Sequence, residues 1–133
     1  MNKLIGKITA IESSQHMSMV DIDVQGDFFT SIVLETPLTA AYLKKGNTIN
    51  LLFKETEVSI GKNLSGLISL RNRFKGTIKR IEKSDLLSMI VILYKDQEIV
   101  SIISTRSTHH LGLIEGDKIE WLVKTNEVSL CSP

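Results

Sequence analysis

Hydrophobic and polar residues alternate over the first part of the chain with the period of two expected of a strand that buries one face. In residues 4–11, Leu4, Ile8 and Ala10 are set against Lys3, Lys7 and Thr9, and Gly6 interrupts the run where a strand bends or bulges. Residues 17–24 alternate cleanly, with Met19, Asp21 and Asp23 on one face and Val20, Ile22 and Val24 on the other. Gln25, Gly26 and Asp27 form a hairpin turn into residues 28–34, a strand of aromatic and β-branched side chains. The period then changes. Thr36 suits an N-cap and Pro37 a first helical position, so residues 37–44 predict a short helix ended by Gly46. Strands return at residues 47–53 and 57–60.

The same plan recurs without a gap when the chain is slid by 70 positions, the difference between Gly76 and Gly6. Asn2 then falls on Asn72, Ile8 on Ile78, Ser18-Met19 on Ser88-Met89, Ser31-Ile32 on Ser101-Ile102, and Gly46 on Gly116. The copies also end alike, Lys54 on Lys124 and Glu57-Val58-Ser59 on Glu127-Val128-Ser129. A period this long indicates two copies of a small domain, because solenoid repeats are shorter and need about three copies. Second-copy strands are expected at residues 73–81, 87–94, 98–104, 118–124 and 127–130, with a helical turn at 107–113. Residues 62–70 link the copies. Three strands, a helix and two strands are best satisfied by a closed barrel, since closure removes exposed edges. The expected fold is all-β, with one short helix per repeat: two tandem OB-like five-stranded β-barrels, residues 1–66 and 67–133. Trp121, aligned with Leu51, is expected in the core.

Composition narrows the functional classes. Each copy is near the smallest size that folds alone, so the copies are expected to stabilise one another or to associate. A net charge of +1 and few aromatic residues provide neither the basic field nor the stacking platform of a nucleic-acid binder. Cys131 is the single cysteine, which excludes an intrachain disulfide and suits a reducing compartment. The first residues lack the apolar core of a signal peptide and no run reaches the roughly 20 residues of a membrane span. The expectation is a soluble cytoplasmic protein without membrane insertion. His109-His110 lie on different faces of a helical turn with no cysteine or carboxylate cluster beside them, which argues against a metal centre. Asp21 and Asp23 align with Val91 and Leu93, so they read as an exposed face and not as an acid/base pair. No nucleophile, base and orienting residue can be grouped, and an enzyme is not expected.

Chemistry concentrates at the seam between the copies. Ser69, Arg71 and Asn72 can all donate hydrogen bonds, and the guanidinium fork suits a tetrahedral oxyanion. Such a dianion accepts at every oxygen and donates nothing at neutral pH, so its site needs converging N–H and O–H donors and few carboxylates.

Ser69-Leu70-Arg71-Asn72 with Gly76, Ser104-Thr105-Arg106-Ser107, Leu111-Gly112-Leu113-Ile114-Glu115-Gly116-Asp117 and Lys124-Thr125-Asn126-Glu127-Val128 together give the chain its family resemblance. It resembles the molbindins, the molybdenum-pterin-binding (Mop) family of TOBE domains, in their tandem two-copy form. The family pattern reads Ser-Ala-Arg-Asn, a strand opening with Gly, Leu-Gly-Leu-x-x-Gly, and a late Lys-Ala/Ser-x-x-Val. The resemblance implies OB-like barrels that associate, a trimer of two-repeat chains being favoured, with molybdate or tungstate held between barrels for storage or homeostasis. It implies seam contacts from Ser69, Arg71 and Asn72, hydroxyl and backbone donors from Ser104 and Ser107, and a late contact from Lys124 and Thr125. In the first copy Lys54 and Asn2 remain, whereas Leu34 and Pro37 replace the two serines and Met1 stands opposite Arg71. That copy has lost part of its site, or completes one formed by a neighbouring subunit. The chain has no Walker motif and no helix-turn-helix pattern, which points to a stand-alone binder. The competing expectation is a ligand-free module that docks on a molybdate transporter or regulator.

Overall fold

The computed structural model describes all 133 residues. They form ten strands, one α-helix and two single 3-10 turns, Glu55–Glu57 and Thr125–Glu127. The chain divides into two compact units that cross the repeat boundary. Unit 1 comprises residues 1–53 and 124–133, and unit 2 comprises residues 54–123. Neither unit therefore coincides with the halves 1–66 and 67–133.

Unit 1 is a five-stranded antiparallel sheet built on β1 (Asn2–Ser14), β2 (Met17–Val24), β3 (Asp27–Val33) and β4 (Thr48–Phe53), in the order β3, β2, β1, β4. Its fifth strand comes from the far end of the chain: β10 (Ser129–Cys131) lies antiparallel to β4, with Leu130 opposite Leu51. Unit 2 repeats the plan with β6 (Asn72–Lys83), β7 (Leu87–Tyr94), β8 (Gln97–Ser104) and β9 (Lys118–Val123). Its fifth strand is β5 (Ser59–Gly61) of the first repeat, with Ile60 opposite Trp121. The two copies have exchanged their last strands.

A buried hydroxyl joins the open side of each sheet. Ser31 on β3 donates to the Val128 carbonyl at 2.6 Å, just ahead of β10, and Ser101 on β8 donates to the Val58 carbonyl at 2.7 Å, just ahead of β5. Both serines are wholly buried. An unpaired hydroxyl would be costly there, so these bonds fix the seating of the fifth strands as well as closing the barrel-like curl. Alternation places Leu4, Ile8, Val20, Ile22, Val24, Phe29 and Leu51 inside unit 1. In unit 2 the positions of Leu4, Val24 and Leu51 become Phe74, Tyr94 and Trp121. These rings pack with centroids 5.1 Å apart from Trp121 to each neighbour and 6.0 Å from Phe74 to Tyr94. Trp121 is the core residue expected of it, at 0% exposure.

Two local expectations are corrected. Residues 37–44 do not form a helix; they form consecutive turns. Leu43 N–H and Asn47 N–H each bond a carbonyl three residues back, and Thr39 Oγ1 accepts from the Thr36 amide, which competes with a helical ladder. With Leu38 97% exposed, little burial supports helix nucleation. The only α-helix is α1 (Thr105–His110) in the second copy. Nor does Gly6 mark the bulge. The register of β1 on β2 shifts between Ile8 and Ala10, and that of β6 on β7 between Ile78 and Arg80. Gly6 instead permits close approach: a Cβ there would stand 2.6 Å from the Asp23 carbonyl oxygen and 2.6 Å from Ile22 Cγ2. Because a strand carbonyl cannot rotate aside, Gly6→Ala is expected to lower stability by about 1–3 kcal/mol, the cost of an overpacked interior, read as an earlier urea midpoint at unchanged slope.

Candidate functional site

In unit 2 the β8 strand runs directly into α1, and Ser104 at the junction is its N-cap. Ser104 Oγ accepts from the Ser107 amide at 3.0 Å and donates to Ser107 Oγ at 2.9 Å. That leaves the Ser107 hydroxyl proton free to point outward, and both serines are exposed. The expected supply of backbone amides is smaller than the sequence suggests. Thr105 N–H bonds the Leu86 carbonyl at 2.8 Å, so the first turn already spends two of its donors within the chain. Thr105 itself is buried, its hydroxyl donating to the Ser84 carbonyl and lying 2.9 Å from Ser88 Oγ.

The linker carries Ser69 and Arg71, both exposed. Arg71 has no ion pair or side-chain hydrogen bond within the chain, whereas Arg73 is committed to Glu120 through both Nε and Nη2. That partnership holds the Glu120 carboxyl below its usual range and removes Arg73 from the pool of open donors. The single available guanidinium of the seam is Arg71. Asn72 is different. It is wholly buried at the start of β6, opposite Val123 on β9, and its repeat partner Asn2 is 5% exposed opposite Phe53 on β4. Within the chain these asparagines belong to the sheet interior rather than to its open surface.

The exchange of strands redistributes the remaining candidates. Lys54, exposed at the head of the first 3-10 turn, belongs to unit 2, the unit of Ser69, Arg71, Ser104 and Ser107. Exposed Lys124 and half-buried Thr125, which head the second 3-10 turn, belong to unit 1 with Asn2. Each late lysine is thus delivered to the unit formed mainly by the other repeat.

At the corresponding place in unit 1, Leu34 is 79% exposed and no helix follows. Glu35 occupies the position of Thr105 and accepts a hydrogen bond from the Tyr42 hydroxyl. Burial, followed by the neighbouring carboxylate, pushes the Tyr42 hydroxyl well above its ordinary value, so it stays a neutral donor fixed on Glu35. The adjoining hollow of about 340 Å³ is also bounded by Asn126 and Ser129. A carboxylate at its rim disfavours anions. This Glu35 and Tyr42 pair was not singled out in the sequence, although the pairing of Glu35 with Thr105 in the repeat alignment carried the signal.

A family model for the TOBE domain matches residues 68–130. No curated protein sequence matches the chain. Among solved structures, a molybdate-binding protein from Sporomusa ovata is 37% identical, is covered over 100% of its own length by 50% of this chain, and superposes with a TM-score of 0.50. The chain belongs to the molbindin (Mop) family of TOBE-domain proteins. The cytoplasmic molybdate-binding protein ModG, in a crystal form with molybdate bound, is similar to it over 99% of this chain and 96% of that one, at 26% identity and a TM-score of 0.92. The likeness extends through both units, so this molbindin is of the tandem type. Its copies are chemically unequal. The second offers hydroxyls and an open guanidinium, and the first offers a leucine, a proline and a carboxylate at the matching positions.

Proposed function

We propose that the chain is a cytoplasmic molybdate-binding protein that also accepts tungstate and serves storage or homeostasis of the oxyanion. The observation that carries this reading is the match to molybdate-bound ModG along essentially the whole chain. The open donors of unit 2 agree with it. In this reading Arg71 supplies charge and a planar fork, Ser69 and the outward Ser107 hydroxyl supply fixed hydrogen bonds, with Ser104 holding Ser107 in place, and Lys54 adds attraction. Lys124 and Thr125 play the corresponding part in unit 1. Asn2 and Asn72, being buried, act by holding the strand starts from which the seam projects. The mechanism is equilibrium hydrogen bonding without covalent chemistry, so the protein is not an enzyme.

Exposed Leu34, Leu38, Leu67 and Leu86 support association of copies. We place the sites between barrels of a homo-oligomer, a trimer of two-repeat chains, with residues 1–66 and 67–133 as the two repeats. No helix is long and apolar enough to cross a membrane.

Titration calorimetry of the full chain with molybdate, tungstate and sulfate tests the reading, alongside its mass by light scattering. Saturable heats with the first two and none with sulfate are expected. Arg71→Ala should weaken binding by roughly 10- to 150-fold, the equivalent of losing a charge-assisted hydrogen bond of about 1.5–3 kcal/mol, and Ser69→Ala by less. A folded oligomer that gives no saturable heat with any of the three anions sinks the proposal. It would leave the alternative of a ligand-free module docking on a molybdate transporter or regulator, for which the donor-poor first copy is the supporting observation.

A further inference from the structure

Away from the seam, unit 2 contains a cleft of about 650 Å³ between the start of β6, the end of β7 and the start of β9. Lys75, Lys95 and Lys118 line it together with Leu64, Leu93 and Ile119. One wall is the linker after β5, and this wall is anchored. Lys62 Nζ donates to the Gly112 carbonyl at 3.1 Å and to Asp117 Oδ2 at 3.0 Å, and Asp117 is further held by the Ile114 amide at 3.0 Å. Those two bonds keep the Asp117 carboxyl below its usual range, the Ile114 amide contributing most. Leu64 then folds over Gly61, a place no residue with a Cβ could offer without displacing it.

The electrostatics of the cleft are one-sided. Three lysines line it against a single carboxylate, Glu120, which is bound by Arg73 and stands opposite Lys75, so positive charge is in excess. Lys95 extends its ammonium over the Tyr94 ring, 5.7 Å from the centroid. The apolar part is open as well, Leu64 being 37% and Leu93 42% exposed. None of this follows from the fold alone. At the equivalent positions of the first repeat Lys75, Lys95 and Lys118 become Ile5, Gln25 and Thr48, and Leu93 becomes Asp23.

Size separates this cleft from an inorganic oxyanion site, for which a few converging donors suffice. A volume of about 650 Å³ falls in the range of roughly 300–1,000 Å³ typical of small organic ligands. We infer that unit 2 holds a second binding site, for a small organic anion whose phosphate group pairs with Lys75, Lys95 and Lys118 while an apolar or aromatic body rests on Leu64 and Leu93. This inference does not depend on the proposed oxyanion site and shares no residue with it.

The test uses the full chain and two probes, phenyl phosphate and inorganic phosphate, at low salt. Heat is recorded together with emission from Trp121, the only tryptophan, whose Cδ1 lies 3.4 Å from where a Cβ on Gly76 would stand. Phenyl phosphate should bind saturably and more tightly than inorganic phosphate, and added salt should weaken it. Lys75→Ala/Lys118→Ala should weaken it by roughly tenfold or more, while Lys75→Arg/Lys118→Arg retains it and neither variant alters the thermal midpoint or molybdate titration. The inference is overturned if phenyl phosphate gives no saturable signal, if inorganic phosphate binds equally well, if the double alanine variant binds unchanged, or if molybdate displaces the probe.

Discussion

A chain shortened to end at Val123 is expected to keep unit 2 folded and to lose unit 1. Unit 2 is continuous from residue 54 to residue 123 and retains all five of its strands, including β5. Unit 1 loses β10, the 3-10 turn before it, and Val128, which is 2% exposed. Burial of a valine is worth about 1.5–3 kcal/mol. The Ser31 hydroxyl, at 0% exposure, also loses its acceptor, the Val128 carbonyl, at a cost of about 1–3 kcal/mol for a buried group left unsatisfied. Together these approach the whole stability of a unit this small, at roughly 0.05–0.15 kcal/mol per residue. Hydrogen exchange followed by mass spectrometry reads the result directly. Amides of β1 to β4 should exchange at unprotected rates while those of β6 to β9 remain slow. Equal protection in both units would show that the exchanged strand is dispensable. The shortened chain should also aggregate more readily, because β4 becomes an exposed edge.

The second large effect is expected from Trp121→Ala. The side chain is fully buried, touches both Phe74 and Tyr94, and sits opposite Ile60 of β5. Removing it takes away the centre of a three-ring cluster and leaves a cavity that the rigid sheet cannot collapse around, for a cost of about 3–5 kcal/mol. Trp121→Phe should recover much of the loss, since the ring pair with Phe74 can persist. The equivalent change Leu51→Ala in unit 1 should cost about 2–5 kcal/mol, in the range for aliphatic truncations. Urea unfolding followed by circular dichroism measures each. A loss below 1 kcal/mol for Trp121→Ala would mean that the aromatic cluster does not carry the core of unit 2.

Much of this architecture was readable from the chain because its signals were physical and repeated. Strict alternation in residues 17–24 located β2, and the 70-residue offset carried that reading into β7, where Val91 and Leu93 blur it. Other features left no such trace. The exchange of β5 and β10 was invisible because Glu57-Val58-Ser59 and Glu127-Val128-Ser129 are identical. Either segment presents the same valine carbonyl to Ser31 or Ser101, so no side chain specifies which sheet it joins. The helix expected at residues 37–44 had adequate end signals, but Thr39 and Tyr42 find partners that favour turns. Asn2 and Asn72 looked like surface donors and are buried, since a polar residue opening a strand has the same appearance whichever way it faces. Arg71 and Arg73 were indistinguishable in kind. Only the pairing of β6 with β9, across which Arg73 reaches diagonally to Glu120, shows which of them is occupied.

The exchanged strands also set an order of events during synthesis. Residues 54–123 lie wholly inside the sequence of unit 1, so unit 2 is an insertion between the body of unit 1 and its closing strand. As the chain leaves the ribosome, residues 1–53 emerge first and cannot complete their sheet. Every strand of unit 2 emerges before β10 does. The unit begun second is therefore the first that can close, and the nascent first unit must wait, with the β4 edge unpaired, until residues 129–131 emerge. Pausing of translation between residues 123 and 131 would prolong the life of that incomplete sheet, whereas pausing within residues 62–70 would leave both sheets unfinished.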